Sequence, residues 1–321
     1  MVTNGDDEVE VVPVRHVGRW IGALVVALVL AMLVHTVVFS KASGGTSSRF
    51  GWAIVFHYFT TREVLDGLAL TLELTALAMT IGIVLGMIIA IMRLSHNRLV
   101  SGTAWSYVWF FRGTPVYVQL LFWFNIAALY KTVTIGVPFM NVTFLHLDLV
   151  AFFTPFHTAM VGLGLNEAAY MSEIGRSGLI SVDEGQIEAA TSLGMTRSQT
   201  LRLVILPQAM RVIIPPTGNE VISMLKTTSL AIAVSVTELL TAVTNIYSAN
   251  YEIMPLLLVA SLWYLIVTTI LSIGQYYVER HYAKGALRTP PPTPLQRLRQ
   301  DVRGVASKMR SPRRVRPKAA A

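Results

Sequence analysis

Cysteine is absent from the 321 residues, and charged side chains make up only 14% of them. Without cysteine the chain has no disulfide, no iron–sulfur cluster, no thiolate nucleophile and no zinc site built on Cys ligands. Hydrophobic residues make up 53%, which is more than a soluble core of this length normally needs. Scarce charge and abundant apolar side chains together indicate a membrane protein.

Sequence motifs for catalysis and nucleotide binding are also missing. The seven His residues show no paired metal-ligand spacing, and there is neither a Walker-type phosphate loop nor a nucleophile elbow. No combination of nucleophile, base and metal ligands points to a membrane enzyme. We therefore predict no catalytic residue, no metal, no cofactor and no nucleotide hydrolysis by this chain.

Apolar stretches predict six membrane-spanning helices. The first, Trp20–Phe39, is long enough to cross a bilayer as a helix, and five more follow at residues 68–92, 108–129, 158–180, 212–240 and 254–277. The fifth of the six is ambiguous, because Glu220 and Lys226 interrupt it. A cleaved signal peptide is the alternative for Trp20–Phe39. It is disfavoured because an acidic segment precedes the stretch and no small-residue cleavage pattern follows.

Basic residues are distributed unevenly among the predicted loops. Lys and Arg are retained on the cytoplasmic side of a membrane, so we place both termini in the cytoplasm. Only four basic residues then fall outside, namely Lys41, Arg49, Arg62 and Lys131. The predicted outer segments are residues 40–65, 130–156 and 241–253. An odd number of spans would instead place the basic tail outside.

The two ends of the chain differ in charge. Residues 1–19 are predicted to be a cytoplasmic N-terminal segment, and residues 283–321 a basic, disordered cytoplasmic tail. Twelve of the 26 Lys and Arg residues lie between Arg280 and Lys318. Nucleic acid could bind such a tail, but a solvated tail at an anionic membrane face is favoured. The predicted partner is therefore membrane lipid and not nucleic acid.

Residues 181–207 predict a helix, a turn and a second helix outside the bilayer. Ser181 and Glu184 have capping-box spacing for the first helix, and Gly194 is the residue that most easily adopts the left-handed geometry that ends it. Such a hairpin, with an apolar stripe and no catalytic group, is suited to being held by a partner protein.

The second helix of this hairpin has its own boundary signals. Thr196 and Gln199 repeat the capping spacing, and Pro207 favours a break before the next span. The hairpin resembles the coupling-loop signature of binding-protein-dependent ABC importer permeases, with Val204 in place of the usual Ile. The residues that carry this resemblance are Glu188, Ala189, Ala190, Gly194, Leu206 and Pro207.

Further stretches resemble the polar amino-acid branch of that family, which includes permeases for histidine, glutamine, glutamate, arginine and opines. They include GLALTLELT at 67–75, FRGTP at 111–115, LNEAAY at 165–170 and KTTSL at 226–230. Together they cover roughly residues 65–282. In the FRGTP stretch Arg112 is expected to anchor to head groups or to a carboxylate, outside the substrate path.

The resemblance implies an all-α polytopic protein of the bacterial plasma (inner) membrane. Residues 65–282 would form the type I ABC importer transmembrane domain, residues 181–207 its coupling loop, and residues 20–39 an added N-terminal helix. The implied partners are a pair of ABC ATPase subunits, an extracytoplasmic solute-binding protein and a second permease subunit. Which amino acid is carried, and whether the second permease is an identical or a sister chain, stays open.

Polar residues at membrane depth are costly and often line an aqueous path. The predicted substrate path takes three from the fourth span and three from the fifth: Asn166, Tyr170 and Glu173, with Lys226, Thr227 and Ser229. Lys226 would meet the carboxylate of a zwitterion and Glu173 its cation. A polar seam between helices is the alternative, and a packing role is favoured for Glu73. Gly82 and Gly86 are spaced for helix packing.

The residues thus favour the permease subunit of an ATP-driven importer for a polar amino acid. The alternative function is an ion-coupled secondary amino-acid transporter, in which Glu173 and Glu220 serve as proton or sodium sites. The absence of a visible repeat between the two halves of the chain weakens that alternative.

Overall fold

The computed structural model describes residues 17–39, 50–136 and 143–282. Predictions about residues 1–16, 40–49 and 283–321, including the basic tail, lie outside the described residues. The chain divides into two compact units. Among the described residues, the first unit comprises 17–39, 50–65 and 242–262, and the second comprises 66–136, 143–241 and 263–282.

The described residues are mostly helical. In the first half of the chain the helices are α1 (Val17–Phe39), α2 (Trp52–Tyr58), α3 (Arg62–Arg93), α4 (Arg98–Gly113), α5 (Val116–Leu129) and α6 (Leu149–Phe152). In the second half they are α7 (Pro155–Ile180), α8 (Glu184–Ser192), α9 (Arg197–Thr200), α10 (Leu206–Thr227), α11 (Leu239–Asn250) and α12 (Ile253–Tyr282).

An antiparallel β hairpin departs from the all-α prediction. Strand β1 (Thr132–Gly136) pairs with β2 (Thr143–Asp148), with Thr132 opposite Asp148 and Val133 opposite Leu147. Strand β1 alternates Thr with β-branched Val and Ile, and β2 carries Thr, Phe and Leu, residues that are frequent in strands or compatible with them. The sequence prediction had treated this region only as an outer loop.

Two of the described helices, α3 with 32 residues and α12 with 30, are long and apolar enough to cross a membrane. A third candidate arises if the helical stretch 197–234 and α11 count as one broken span. The predicted third span is divided at Thr114 and Pro115 into α4 and α5. The count of six spans therefore stays a prediction.

The core of the second unit is centred on α7. Its Leu163 and Met171 are almost fully buried with Leu74 of α3 and Leu120 of α5. Glycines allow α3 to approach α7 closely, since a Cβ atom at Gly86 would lie 2.5 Å from the Met171 Cβ. The predicted packing role of Gly86 is thereby confirmed.

Glu238 fixes the start of α11 in the second unit. Its side chain is 0% exposed and accepts the backbone N–H groups of Leu240 at 3.0 Å and Thr241 at 2.9 Å. The Tyr264 hydroxyl donates to the same carboxylate at 2.9 Å. A buried carboxylate is tolerated here because several donors satisfy it. Sequence reasoning had assigned this residue no role.

The first unit has a short capped helix and a tight turn. Gly51 precedes α2 with φ of 58°, and a Cβ atom there would lie 2.7 Å from the Pro255 Cγ. The Asn250 amide donates to the Tyr58 hydroxyl at 3.3 Å, and its side-chain oxygen accepts the Glu252 N–H at 2.9 Å. These contacts connect α2 with the turn between α11 and α12.

The region 181–207 forms two helices around a glycine turn. Gly194 has φ of 75°, which confirms the predicted left-handed position. Asp183, and not Ser181, caps α8 by accepting the Gly185 N–H at 2.9 Å. The Ser181 hydroxyl instead donates to the Gly178 carbonyl at 2.7 Å and ends α7, so the predicted start of the first helix was wrong.

The second helix begins as predicted and ends differently. Thr196 and Gln199 form the expected capping box, with the Gln199 side chain accepting the Thr196 N–H at 2.8 Å. Pro207 causes no break, because a π-helical turn at 201–205 leads directly into α10. Proline lies in the first turn of α10, where its missing N–H costs little.

Candidate functional site

A charged cavity of about 640 Å³ lies in the second unit. It forms where the junction of α4 and α5 faces α7 and α10. Its charged lining residues are Arg112, Glu167 and Glu220, and its uncharged polar ones include Asn166, Tyr170, Ser223 and Thr227. A cavity with a few polar groups converging on an otherwise apolar site is the usual form of a small-molecule site.

Glu167 is the most unusual residue of this cavity. It lies on α7, is only 5% exposed, and its buried Oε1 atom has no hydrogen-bond partner among the described residues. The helix that packs against it leaves room for this side chain, since a Cβ atom at Gly82 would lie 2.5 Å from the Glu167 Cγ. A buried carboxylate oxygen without a donor is costly, and a cationic ligand would offset that cost.

Arg112 enters the cavity from the end of α4. The helix ends at Gly113, Thr114 is extended, and α5 begins after Pro115, so the backbone interruption places the guanidinium beside α7. The guanidinium lies 5.2 Å from the centre of the Tyr170 ring, a cation–π arrangement. With Glu220 on α10, the cavity thus presents two carboxylates and one guanidinium.

Two amide side chains hold the wall formed by the α4–α5 junction. The Asn166 Nδ2 atom donates to the Phe111 carbonyl at 3.0 Å and to Gln119 Oε1 at 3.2 Å. Gln119 in turn donates to the Thr114 hydroxyl at 2.7 Å. These bonds satisfy carbonyl and hydroxyl groups exposed by the helix break. Asn166 therefore positions the junction as well as lining the cavity.

The structure brings together only part of the predicted substrate path. Asn166, Tyr170 and Thr227 line the cavity. Glu173, Lys226 and Ser229 are not among the residues that line it. Lys226 is exposed where α10 passes into a 3₁₀ helix at Thr228, and the Ser229 hydroxyl donates to the Lys226 carbonyl at 2.7 Å. The helix changes here to the tighter 3₁₀ form, so the predicted loosening stays a prediction.

Glu173 lies next to the cavity within an ion cluster. Its carboxylate pairs with Arg93 at 2.5 Å, with Arg176 at 3.3 Å and with Arg112 at 3.5 Å. We call these four residues the Glu173 cluster. The expectation that Arg112 meets a carboxylate is confirmed. Its placement outside the substrate path stays a prediction, although Arg112 also lines the cavity.

Glu167 and Glu220 complete the cavity, and sequence reasoning had not placed either in the amino-acid path. A signal for Glu167 was present, because it lies three residues before Tyr170 and therefore shares a helix face with it. Within residues 17–39, 50–136 and 143–282, no group of three or more His, Asp or Glu side chains could hold a metal ion.

The predicted coupling residues lie on a separate surface of the second unit. Glu188 and Ala189 are exposed on α8, whereas Ala190 is buried. Leu193 is 82% exposed just before the Gly194 turn, and Leu203 is also exposed in the π-helical turn. Exposed apolar side chains grouped beside a polar rim are typical of protein contact surfaces.

Comparison with known families identifies a match over residues 82–284 to "Binding-protein-dependent transport system inner membrane component". Among characterised proteins, the arginine transport system permease protein ArgU of Corynebacterium glutamicum is 46% identical over 283 residues, covering 88% of this chain and 85% of ArgU. The histidine/lysine/arginine/ornithine transport system permease protein HisM of Escherichia coli K12 is 36% identical over 206 residues, or 64% of this chain and 82% of HisM.

A solved structure is similar in fold and sequence. The crystal structure of an amino acid ABC transporter with histidines matches with a TM-score of 0.59 and 34% identity. The match covers 72% of this chain and 97% of the solved chain. The mostly helical arrangement is therefore that of an amino-acid ABC transporter membrane subunit.

Proposed function

This chain belongs to the family of binding-protein-dependent transport system inner membrane components, and we propose that the amino acid it carries is cationic, of the arginine class. It is the permease component of an ABC importer for polar amino acids and is not itself catalytic. Family membership also overturns the alternative of an ion-coupled secondary transporter.

The charge pattern of the cavity supports a cationic amino acid. Arginine, lysine and ornithine each carry two cationic groups and one carboxylate. The cavity presents the complementary set, with the carboxyl groups of Glu167 and Glu220 and the guanidinium of Arg112. A neutral amino acid would leave one of the two glutamates without a partner, which is costly for a buried carboxyl group such as that of Glu167.

Glu167 is the single observation that carries the proposal. Its Oε1 atom is buried and lacks a donor among the described residues, so a ligand with several N–H groups is the natural complement. The names of ArgU and HisM agree with this charge, because both include arginine. We assign one cationic group of the solute to Glu167 and the second to Glu220.

Arg112 is the better candidate for the solute carboxylate than Lys226, because Arg112 lines the cavity and Lys226 does not. Glu173 already faces three guanidinium groups, so it is less suited to binding a further cation. Asn166, Tyr170 and Thr227 remain in the proposed path as wall residues.

The hairpin of α8 and α9 is proposed to dock into an ATPase subunit. The exposed Glu188, Ala189 and Leu193 support this role, since they form a surface that no other described residue covers. A pair of ATPase subunits, an extracytoplasmic binding protein and a second permease subunit complete the proposed assembly. The proposed topology has six spans with both termini in the cytoplasm.

Uptake measurements test the cargo assignment directly. The permease is reconstituted with its ATPase and binding protein in vesicles, and ATP-dependent uptake of labelled arginine is measured. We expect competition by lysine and ornithine, and little by citrulline, which has the shape of arginine without its side-chain charge. Equal competition by citrulline, or uptake driven by an ion gradient without ATP, would contradict the proposal.

A further inference from the structure

The Glu173 cluster carries more positive than negative charge. Three guanidinium groups, those of Arg93, Arg112 and Arg176, surround one carboxylate, which leaves two positive charges. Arg112 and Arg176 keep part of their side chains accessible, with 45% and 33% exposed. Uncompensated charge beside membrane-spanning helices is costly unless an anion reaches it.

A groove of about 370 Å³ opens onto this cluster. Its lining includes Arg93, Arg112 and Glu173 together with Trp105 and Trp109 of α4. The two indole rings are stacked with centroids 6.4 Å apart. Both are prominently accessible, with exposures of 56% and 65%. Among the described residues that line this groove, Glu173 is the only carboxylate.

The position of the groove matches that of a lipid head group. Arg93 ends α3 and Arg112 lies in the last turn of α4, so the two arginines that line the groove are at helix ends. Tryptophan is enriched at the boundary between head groups and acyl chains, and clustered basic residues attract anionic lipids. The groove therefore combines a phosphate-binding charge with an apolar wall.

We propose that this groove binds an anionic phospholipid, with its phosphate at the Arg93 and Arg112 guanidinium groups that line it and its acyl chains against Trp105 and Trp109. The Arg176 guanidinium, paired with Glu173 at 3.3 Å, adds positive charge beside the groove. Guanidinium–phosphate hydrogen bonds are among the strongest polar contacts in proteins. The apolar tryptophan wall favours a lipid over a free phosphate ion. The groove shares Arg112 with the proposed solute site. Lipid retention is measured without any amino acid, so its failure is distinguishable from a failure of the cargo assignment.

Native mass spectrometry of the full chain in detergent tests the proposal. The probes are phosphatidylglycerol, phosphatidylcholine with the same acyl chains, and inorganic phosphate. We expect phosphatidylglycerol to be retained at one site and phosphatidylcholine to be retained much more weakly. Equal retention of the two lipids would overturn the proposal. Binding of inorganic phosphate as tight as that of phosphatidylglycerol would overturn the assignment to a lipid.

Charge variants separate lipid binding from a packing role. Replacing Arg93 and Arg176 by Gln should weaken phosphatidylglycerol retention by about fivefold for each arginine removed. Glu173→Gln removes the competing carboxylate and should strengthen retention. Arg98→Gln is the matched control. Arg98 is an exposed arginine on α4, the helix that carries Trp105 and Trp109, but it does not line the groove.

The opposite signs of these effects make the test decisive. If the cluster only packs helices, Glu173→Gln removes its central acceptor and should lower thermal stability without strengthening lipid retention. That result would refute the proposal, even if the double arginine variant does not fold. Unchanged retention in a folded double variant, or an equal loss in Arg98→Gln, would also refute it.

Discussion

Glu167→Gln is the substitution that best tests the cargo site. The two side chains have the same shape, so the packing against Gly82 is preserved. The change removes the charge and replaces one carboxylate oxygen by an amide that donates. Because Oε1 is buried and has no donor among the described residues, we expect this carboxyl group to pair with a cationic group of the solute when the cavity is occupied.

The size of the effect follows from the burial of this residue. A hydrogen bond to a charged group contributes about 1.5–3 kcal/mol to binding. When the charged group is buried, the free-energy cost of losing its partner lies at the upper end of that range. Glu167 is only 5% exposed, so solvent screens it little. We expect the KM for arginine uptake to rise by about 10- to 100-fold. Glu220→Gln should have a smaller effect, since Glu220 is half-buried.

Competition between arginine and citrulline provides the assay. In the parent protein citrulline should compete poorly, and in Glu167→Gln the discrimination between the two solutes should shrink by the same factor as the rise in KM. Glu279→Gln is a matched control, because Glu279 lies on α12 with the Gln275 amide as donor at 2.8 Å. An unchanged KM and unchanged discrimination in a correctly inserted Glu167→Gln protein would refute the cargo assignment.

Four further predictions follow from other parts of the structure. Gly82→Val should displace Glu167 and raise the KM for arginine, and a normal KM would contradict that packing. Glu238→Gln should lower the free energy of unfolding by about 1–3 kcal/mol, measured as thermal stability in detergent, because the new NH2 group replaces an oxygen that accepts a backbone N–H. Gly194→Val should strain a position with φ of 75° and reduce co-purification of the ATPase, whereas parental binding and uptake would refute the docking role. A reporter enzyme that works only outside the membrane should be inactive when fused after Ala283, and activity would contradict the six-span topology.

Local features of the fold could be predicted because short-range chemistry determines them. Gly194 ends a helix in left-handed geometry, and Thr196 with Gln199 starts the next, since both depend on neighbouring residues alone. Asp183 and Ser181 were confused because both are good caps two residues apart, and only the end of α7 at Ile180 decides between them. The course of the chain at Pro207 depended on a π-helical turn that no local motif signals.

The cargo cavity depends on contacts between distant segments, which one sequence does not reveal. Glu173 was chosen for the path because it shares a helix face with Tyr170, yet it meets Arg93 from another helix at 2.5 Å. Glu167 was passed over, although it has a comparable spacing to Tyr170. Glu167 stands out in the structure because Gly82 packs against its side chain and the helix break after Arg112 lines the same cavity. Both neighbours come from other helices, so the spacing of residues within α7 does not predict them.

Arg112 connects the two charged regions, and its distances indicate how it can serve both. Three arginines contact the Glu173 carboxylate. The Arg93 guanidinium lies 2.5 Å from it, that of Arg176 3.3 Å, and that of Arg112 3.5 Å, the longest of the three contacts. Arg112 can therefore turn toward a solute carboxylate while two arginines still neutralise Glu173. Because α4 ends directly after Arg112, the side chain lies at a helix terminus, where the backbone is least constrained by hydrogen bonds. The FRGTP stretch thus positions a cation that the cavity and the Glu173 cluster share.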